Sequence, residues 1–116
     1  MSISLVIWIL FIHWVADFIF QNDRMALNKS KSMVALFNHS LIYTIMLGGP
    51  LMSFDFVYKL QINPFLVLLN LPAHFITDGI TSRMTTWLYN KGERHWFFVV
   101  IGLDQFLHYV VLFLTI

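Results

Sequence analysis

Four stretches of the chain are almost wholly apolar: residues 3–21, 33–48, 64–82 and 96–116. Each approaches the roughly 20 residues that a helix needs to cross a hydrocarbon core. The pattern predicts an all-α polytopic membrane protein, a bundle of four transmembrane helices in one domain spanning residues 1–116. Between the first two runs lies QNDRMALNKSKS, residues 21–32, whose asparagines and serines suit helix caps and whose lysines can meet lipid phosphates. The second run meets Gly48, Gly49 and Pro50, which are expected to end its helix. LMSFDFVYKLQIN, residues 51–63, is then too short to cross and reads as an interfacial or re-entrant piece on the outer side. Pro72 should free the carbonyl near Leu68 and kink the third helix, either as a kink that membrane helices tolerate or, as the sharper alternative, to shape a cavity beside His74. The opening MSISLVIWIL lacks the basic region and small-residue cleavage site of a signal peptide, so the first run is expected to remain as a span.

The polar residues inside these runs are not scattered. HWVAD (residues 13–17) and HFITD (74–78) place histidine and aspartate four apart, and DQFLH (104–108) repeats the pair in reverse. On a helix that step puts both groups on one stripe. Gln21 continues the first stripe, and Asn70, His74, Asp78 and Ser82 make an unbroken series on the third helix. Because the fourth helix runs opposite to the first and third, its reversed order brings like to like. The expected arrangement is a layer of His13, His74 and His108, joined by His39 from the second helix. A layer of Asp17, Asp78 and Asp104 should lie about 6 Å nearer one membrane face, at 1.5 Å per residue. An HxxxD pair on the outgoing helix and a histidine on the return helix also suggest two parallel hairpin repeats.

Composition changes the picture in degree. The chain is 59% hydrophobic and 11% charged, against roughly 25% charged in a soluble domain. With no cysteine, disulfides, thiolate metal sites and thiol nucleophiles are excluded, and any metal must be held by nitrogen and oxygen. Arg24, Lys29 and Lys31 fall between the first two runs, Arg83, Lys91 and Arg94 between the last two, and Lys59 alone between the middle pair. The positive-inside rule therefore puts the first and third loops in the cytoplasm and both termini outside, in an inner-membrane, multi-pass protein. A net charge of +1 gives no reason to expect a nucleic-acid partner.

Burying these groups is costly. An aspartate at a helix centre costs about 2.5–3.5 kcal/mol on the insertion scale, while each isoleucine, leucine, phenylalanine or valine returns about 0.3–0.6. The dozen such residues of the first run return about 5 kcal/mol, little more than Asp17 and His13 consume. Histidine–aspartate pairs serving only to hold helices together compensate poorly, at about 0.6 kcal/mol per bond. A proton or ion conduit would use such a chain of groups. A divalent metal would offset the carboxylate charge directly and supply hydrolytic chemistry. The nitrogen and oxygen donors suit zinc first, with iron or manganese as alternatives. Arg24 and Arg83 follow the two HxxxD pairs and read either as topology charges or as clamps over a phosphate-bearing substrate.

The series HWVADFIFQNDRMALNK, His39, HFITD and LDQFLH resembles the small bacterial and phage membrane proteins of the domain-of-unknown-function family number 3307. The resemblance covers nearly the whole chain. It implies a compact four-helix membrane protein with His13, Asp17, Gln21, Asn28, Lys29, His39, His74, Asp78, Asp104, Gln105 and His108 as pattern positions, and it implies no activity. A looser likeness, in intramembrane histidine and aspartate alone, runs to membrane-bound metal-dependent hydrolases.

The resulting expectation is a His/Asp metal centre open to the cytoplasmic leaflet of the lipid bilayer. His13, His39, His74 and His108 would be ligands, and Asp17, Asp78 and Asp104 ligands or general base, for hydrolysis of a lipid-linked or phosphorylated substrate by a metal-activated water. Gln21, Arg24, Asn28, Lys29, Arg83 and Gln105 are the expected substrate contacts. The alternatives are the conduit and a small module that binds a partner membrane protein or forms a homo-oligomer.

Overall fold

The computed structural model describes the backbone of residues 1–116 and all side chains except those of Asp23, Arg24 and Ala26, so Arg24 lies outside the described residues. All regular elements are helical. Ser2 opens α1 (Ile3–Trp14) by accepting a hydrogen bond from the Leu5 amide at 3.2 Å. The helix then widens into a π-helical turn at Val15–Ile19, where the Phe20 amide reaches back five residues to the Val15 carbonyl. Asn22 caps the short α2 (Asp23–Asn28) and Ser32 caps α3 (Met33–Tyr58). Asn63 caps α4 (Pro64–Leu68), whose first residue is a proline with no amide to leave unpaired. Helices α5 (Asn70–Asn90) and α6 (Arg94–Thr115) complete the chain as an antiparallel hairpin.

Two of the expected boundaries move. Helix α3 does not end at Gly48–Gly49–Pro50 but runs through them to Tyr58, so residues 51–58 are helix rather than a separate interfacial piece. Proline costs this helix the amide that would meet the Met46 carbonyl, and one turn on the Ser53 hydroxyl bonds back to the Gly49 carbonyl at 2.9 Å. The helix stops instead at Lys59, in the left-handed region at φ 51°, where the Asp55 carboxylate accepts from the Ile62 amide at 2.9 Å. The third run is broken near Leu68, where the missing Pro72 amide frees a carbonyl. The helix restarts at Asn70, whose side chain donates to the Val67 carbonyl at 3.0 Å.

The helices pack in the order α1, α3, α5, α6, and side chains close the ring between α6 and α1, His13 meeting Gln105 at 3.1 Å. Among the described residues the interior is unusually polar, with 12 buried polar side chains against 11 buried apolar ones. Outside, 36 large apolar side chains are exposed. That is the reverse of what water selects. Helices α3 and α6, at 26 and 22 residues and mean hydropathy 1.4 and 2.0, are long and apolar enough to cross a membrane. The α1 stretch Ile3–Ile19 is apolar but shorter, and α5 is long enough but more polar. The polar residues of α5 include its buried Asn70, His74, Asp78 and Ser82 and the exposed Arg83.

Candidate metal centre

The polar stripes of the four long helices meet along the bundle axis. From α3, His39 Nε2 lies 3.1 Å from Asp17 Oδ1, 3.0 Å from Asp78 Oδ2 and 2.9 Å from His74 Nε2. His74 Nε2 is in turn 3.5 Å from the same two carboxylate oxygens. Four atoms, each able to present a lone pair, thus converge from three helical segments, with five of their six separations between 2.9 and 3.5 Å. Bonds of about 2.0–2.1 Å from zinc to nitrogen or oxygen would set tetrahedral ligands about 3.3–3.4 Å apart. The donor set therefore fits a divalent ion in size and chemistry.

The π-helical turn helps to create this convergence. It lies between His13 and the loop and carries Asp17, so the aspartate is aimed across the bundle at α3 and α5, and His13 Nε2 is left 3.9 Å from Asp17 Oδ2. On the purely α-helical stripes the pairs are tighter, with His74 to Asp78 at 3.5 Å and Asp104 to His108 at 3.4 Å. Wide turns of this kind recur at functional sites.

His74 is oriented by stacking. Its ring lies between Tyr43 at 3.9 Å and His108 at 4.3 Å, with interplanar angles of 14° and 24°. Its Nδ1 is buried without a hydrogen-bond partner, so packing does the work that a polar contact does for most ligating histidines.

Beside the four-atom group stands a second. Asp78 Oδ1 is 3.0 Å from His108 Nε2, which is 3.4 Å from Asp104 Oδ1, and the Thr81 hydroxyl donates to that same oxygen. Gln105 links the parts. Its amide nitrogen donates to Asp17 Oδ2 at 3.3 Å and Asp104 Oδ2 at 3.0 Å, which fixes the amide oxygen toward His13 Nε2 at 3.1 Å. An amide oxygen only accepts, so His13 Nε2 carries a proton and its Nδ1 accepts from the Tyr43 hydroxyl at 2.8 Å. His13, expected as a ligand, stands apart from both groups and supports Gln105.

The other expected substrate contacts divide. Gln21, Lys29 and Gln105 line a cavity of about 200 Å³ beside Asp17 and Asp104. The Lys29 ammonium lies 3.1 Å from Asp78 Oδ2. Asn28 lines a separate cavity of about 450 Å³ between α2 and α3. Arg83 is exposed and directed away, donating to the Gly79 carbonyl and Met33 Sδ. Tyr43 and Thr81 were not among the expected site residues. Tyr43 follows His39 by four and so shares its stripe, a signal that the apolar character of tyrosine hides.

No curated protein and no solved structure matches the chain. A family model does, over residues 5–116, and its description is a protein of unknown function, DUF3307. Of the pattern positions, Asp17, Lys29, His39, His74, Asp104 and His108 gather around Asp78, while Asn28 lines a separate cavity and His13 stands apart, and the chain belongs to this family.

Proposed function

We propose that the protein is a four-span membrane metalloprotein that hydrolyses a lipid-linked or phosphorylated substrate at the cytoplasmic leaflet. The observation that carries the reading is the convergence of Asp17 Oδ1, His39 Nε2, His74 Nε2 and Asp78 Oδ2 at tetrahedral spacing. Lipid as the outer solvent accounts for the inverted surface and supports spanning by α1 and α5 as well, since their polar faces turn inward. Lys29, Lys31, Lys91 and Arg94 then share the cytoplasmic end with the mouth of the cavity.

Charge supports a divalent ion. Three carboxylates and the Lys29 ammonium leave the centre two charges negative, which one divalent ion would balance in a low-dielectric interior. When bound, the ion would acidify a water and polarise a phosphoryl oxygen. The chain's own groups do the rest: Lys29 offers a cation to a phosphate, and Gln21 Oε1 and Ser82 Oγ are buried at the cavity without protein partners. The conduit reading meets an apolar obstacle. Beyond Tyr43 and His13 the interior is filled by Ile9, Leu47, Leu51 and Leu112, each no more than 1% exposed.

Elemental analysis of the detergent-purified chain tests the proposal. Stoichiometric zinc, iron or manganese, lost in His74→Ala and accompanied by turnover of phosphate esters or lipid pyrophosphates, is the expected result. A folded wild type that takes up no divalent metal removes the reading.

A further inference from the structure

We propose that the centre binds two divalent ions side by side, with Asp78 as the bridging ligand. This rests on the metal reading above and extends it. The second ion would be held by Asp78, Asp104 and His108, whose donor atoms lie within 4.8 Å of one another, His108 Nε2 being 3.0 Å from Asp78 Oδ1 and 3.4 Å from Asp104 Oδ1.

Three independent features of the geometry point to it. The two oxygens of Asp78 are divided between the groups, Oδ2 facing His39 and His74, Oδ1 facing His108 at 3.0 Å. The rings of His74 and His108 stack at 4.3 Å and nearly parallel, so their Nε2 atoms address neighbouring positions about one ring-spacing apart. Paired catalytic ions sit about 3.5–4 Å apart. Finally, the single Gln105 amide holds the Oδ2 atoms of both Asp17 and Asp104, so that Asp17 Oδ1 faces the first position and Asp104 Oδ1, which also accepts from the Thr81 hydroxyl, faces the second. A hydrogen bond on the outer oxygen is how ligating carboxylates are commonly aimed.

The two positions differ in kind. The first has four protein donors, a full tetrahedral set, although its Asp17 also borders the cavity. The second has three, and Asp104, with its neighbours Thr81 and Gln105, lines the 200 Å³ cavity, so a coordination position stays open on that side. Three protein ligands and an open position mark catalytic rather than structural metal sites. The charge also changes sign. One ion neutralises the centre, and a second leaves it two charges positive, the complement of a phosphate dianion arriving beside Lys29.

The test uses the full chain in detergent, stripped with a chelator and titrated with Mn²⁺ alone. Two equivalents should bind the wild type, with an exchange-coupled spectrum by electron paramagnetic resonance. Asp104→Asn and His108→Ala should each retain one equivalent and give an isolated Mn²⁺ signal, with helical content by circular dichroism unchanged. One equivalent and an uncoupled signal in the wild type would overturn the second site while leaving the single-ion reading standing. No bound Mn²⁺ and no bound Zn²⁺ would overturn both. The wild-type spectrum decides the question even if a variant fails to fold.

Discussion

Gln105→Leu separates a metal centre from a purely structural polar network, because the two readings give different answers with and without metal. The Gln105 amide donates to two carboxylates at 3.0 and 3.3 Å and accepts from His13 at 3.1 Å. Leucine keeps much of the volume and removes all three bonds. In the stripped protein the chief loss is the buried His13 Nε2–H left without an acceptor, about 1–3 kcal/mol. In the loaded protein Asp17 and Asp104 also lose the contact that aims them. Disturbing such support costs about 10–100-fold in metal affinity, or about 1.4–2.8 kcal/mol at 1.4 kcal/mol per tenfold. At saturating metal that difference adds to the stability loss by linkage. The variant should therefore be destabilised roughly twice as much with metal as without. Gln105→Glu sharpens the contrast, since it keeps an acceptor for His13 but sets a further carboxylate against two others. Like charges about 4 Å apart repel by about 4 kcal/mol at an effective dielectric of 20, so this variant should depend on metal for stability more than the wild type does. Competition titration against a chromophoric chelator gives the affinities, and thermal unfolding followed by tryptophan fluorescence gives the stabilities. An unchanged affinity in Gln105→Leu, or equal destabilisation in both conditions, refutes the assignment of Gln105 as the residue that aims the ligands.

Two further outcomes follow from single contacts. Lys29→Met removes the ammonium 3.1 Å from Asp78 Oδ2, so divalent metal should bind more tightly, on the order of tenfold, while phosphate or vanadate inhibition weakens; tighter phosphate inhibition would contradict the placement of Lys29 at the substrate. Tyr43→Phe keeps the ring stacked on His74 but leaves His13 Nδ1 without its donor, and should cost about 1–3 kcal/mol in thermal unfolding with metal stoichiometry intact. Loss of bound metal in that variant would mean that His13 is itself a ligand.

The parts of this molecule that were legible in the sequence are those fixed within one helix. Insertion energetics act residue by residue along a run, so the four apolar stretches and the break near Leu68 could be read from composition and Pro72. A step of four likewise places His74 with Asp78 and Asp104 with His108, because a regular helix rotates each residue by a fixed angle. Helix α3 shows the limit. Gly48, Gly49 and Pro50 are helix breakers by local propensity, yet the helix runs through them to Tyr58, and here tertiary packing decides: Val67 of α4 packs over Gly48, and an added Cβ there would stand 3.6 Å from Val67 Cγ1. The π-helical turn shows it again, since nothing in VADFI announces the change of period.

What sequence symmetry could not give is the division of labour among the histidines. His13 and His74 head matching HxxxD motifs, and a parallel repeat would give them matching roles. They diverge because of what faces them: His13 meets Tyr43 and an amide oxygen, so both its nitrogens are committed to hydrogen bonds. His74 meets two aromatic faces and spends no Nδ1 contact, which leaves its Nε2 directed at two carboxylates. The deciding residues, Tyr43 and Gln105, sit on α3 and α6, one in each hairpin, and neither belongs to the repeated motif. An exchange of roles therefore depends on the partners of each imidazole rather than on its own helix. Asp17 and Asp78 each meet His39 from the first hairpin and His74 from the second, but only Asp78 turns its other oxygen to a further histidine at hydrogen-bond distance, Oδ1 lying 3.0 Å from His108 Nε2. The proposed bridging role goes to Asp78 rather than to Asp17 because the second oxygen of Asp17 is taken up by the Gln105 amide at 3.3 Å, whereas that of Asp78 faces His108.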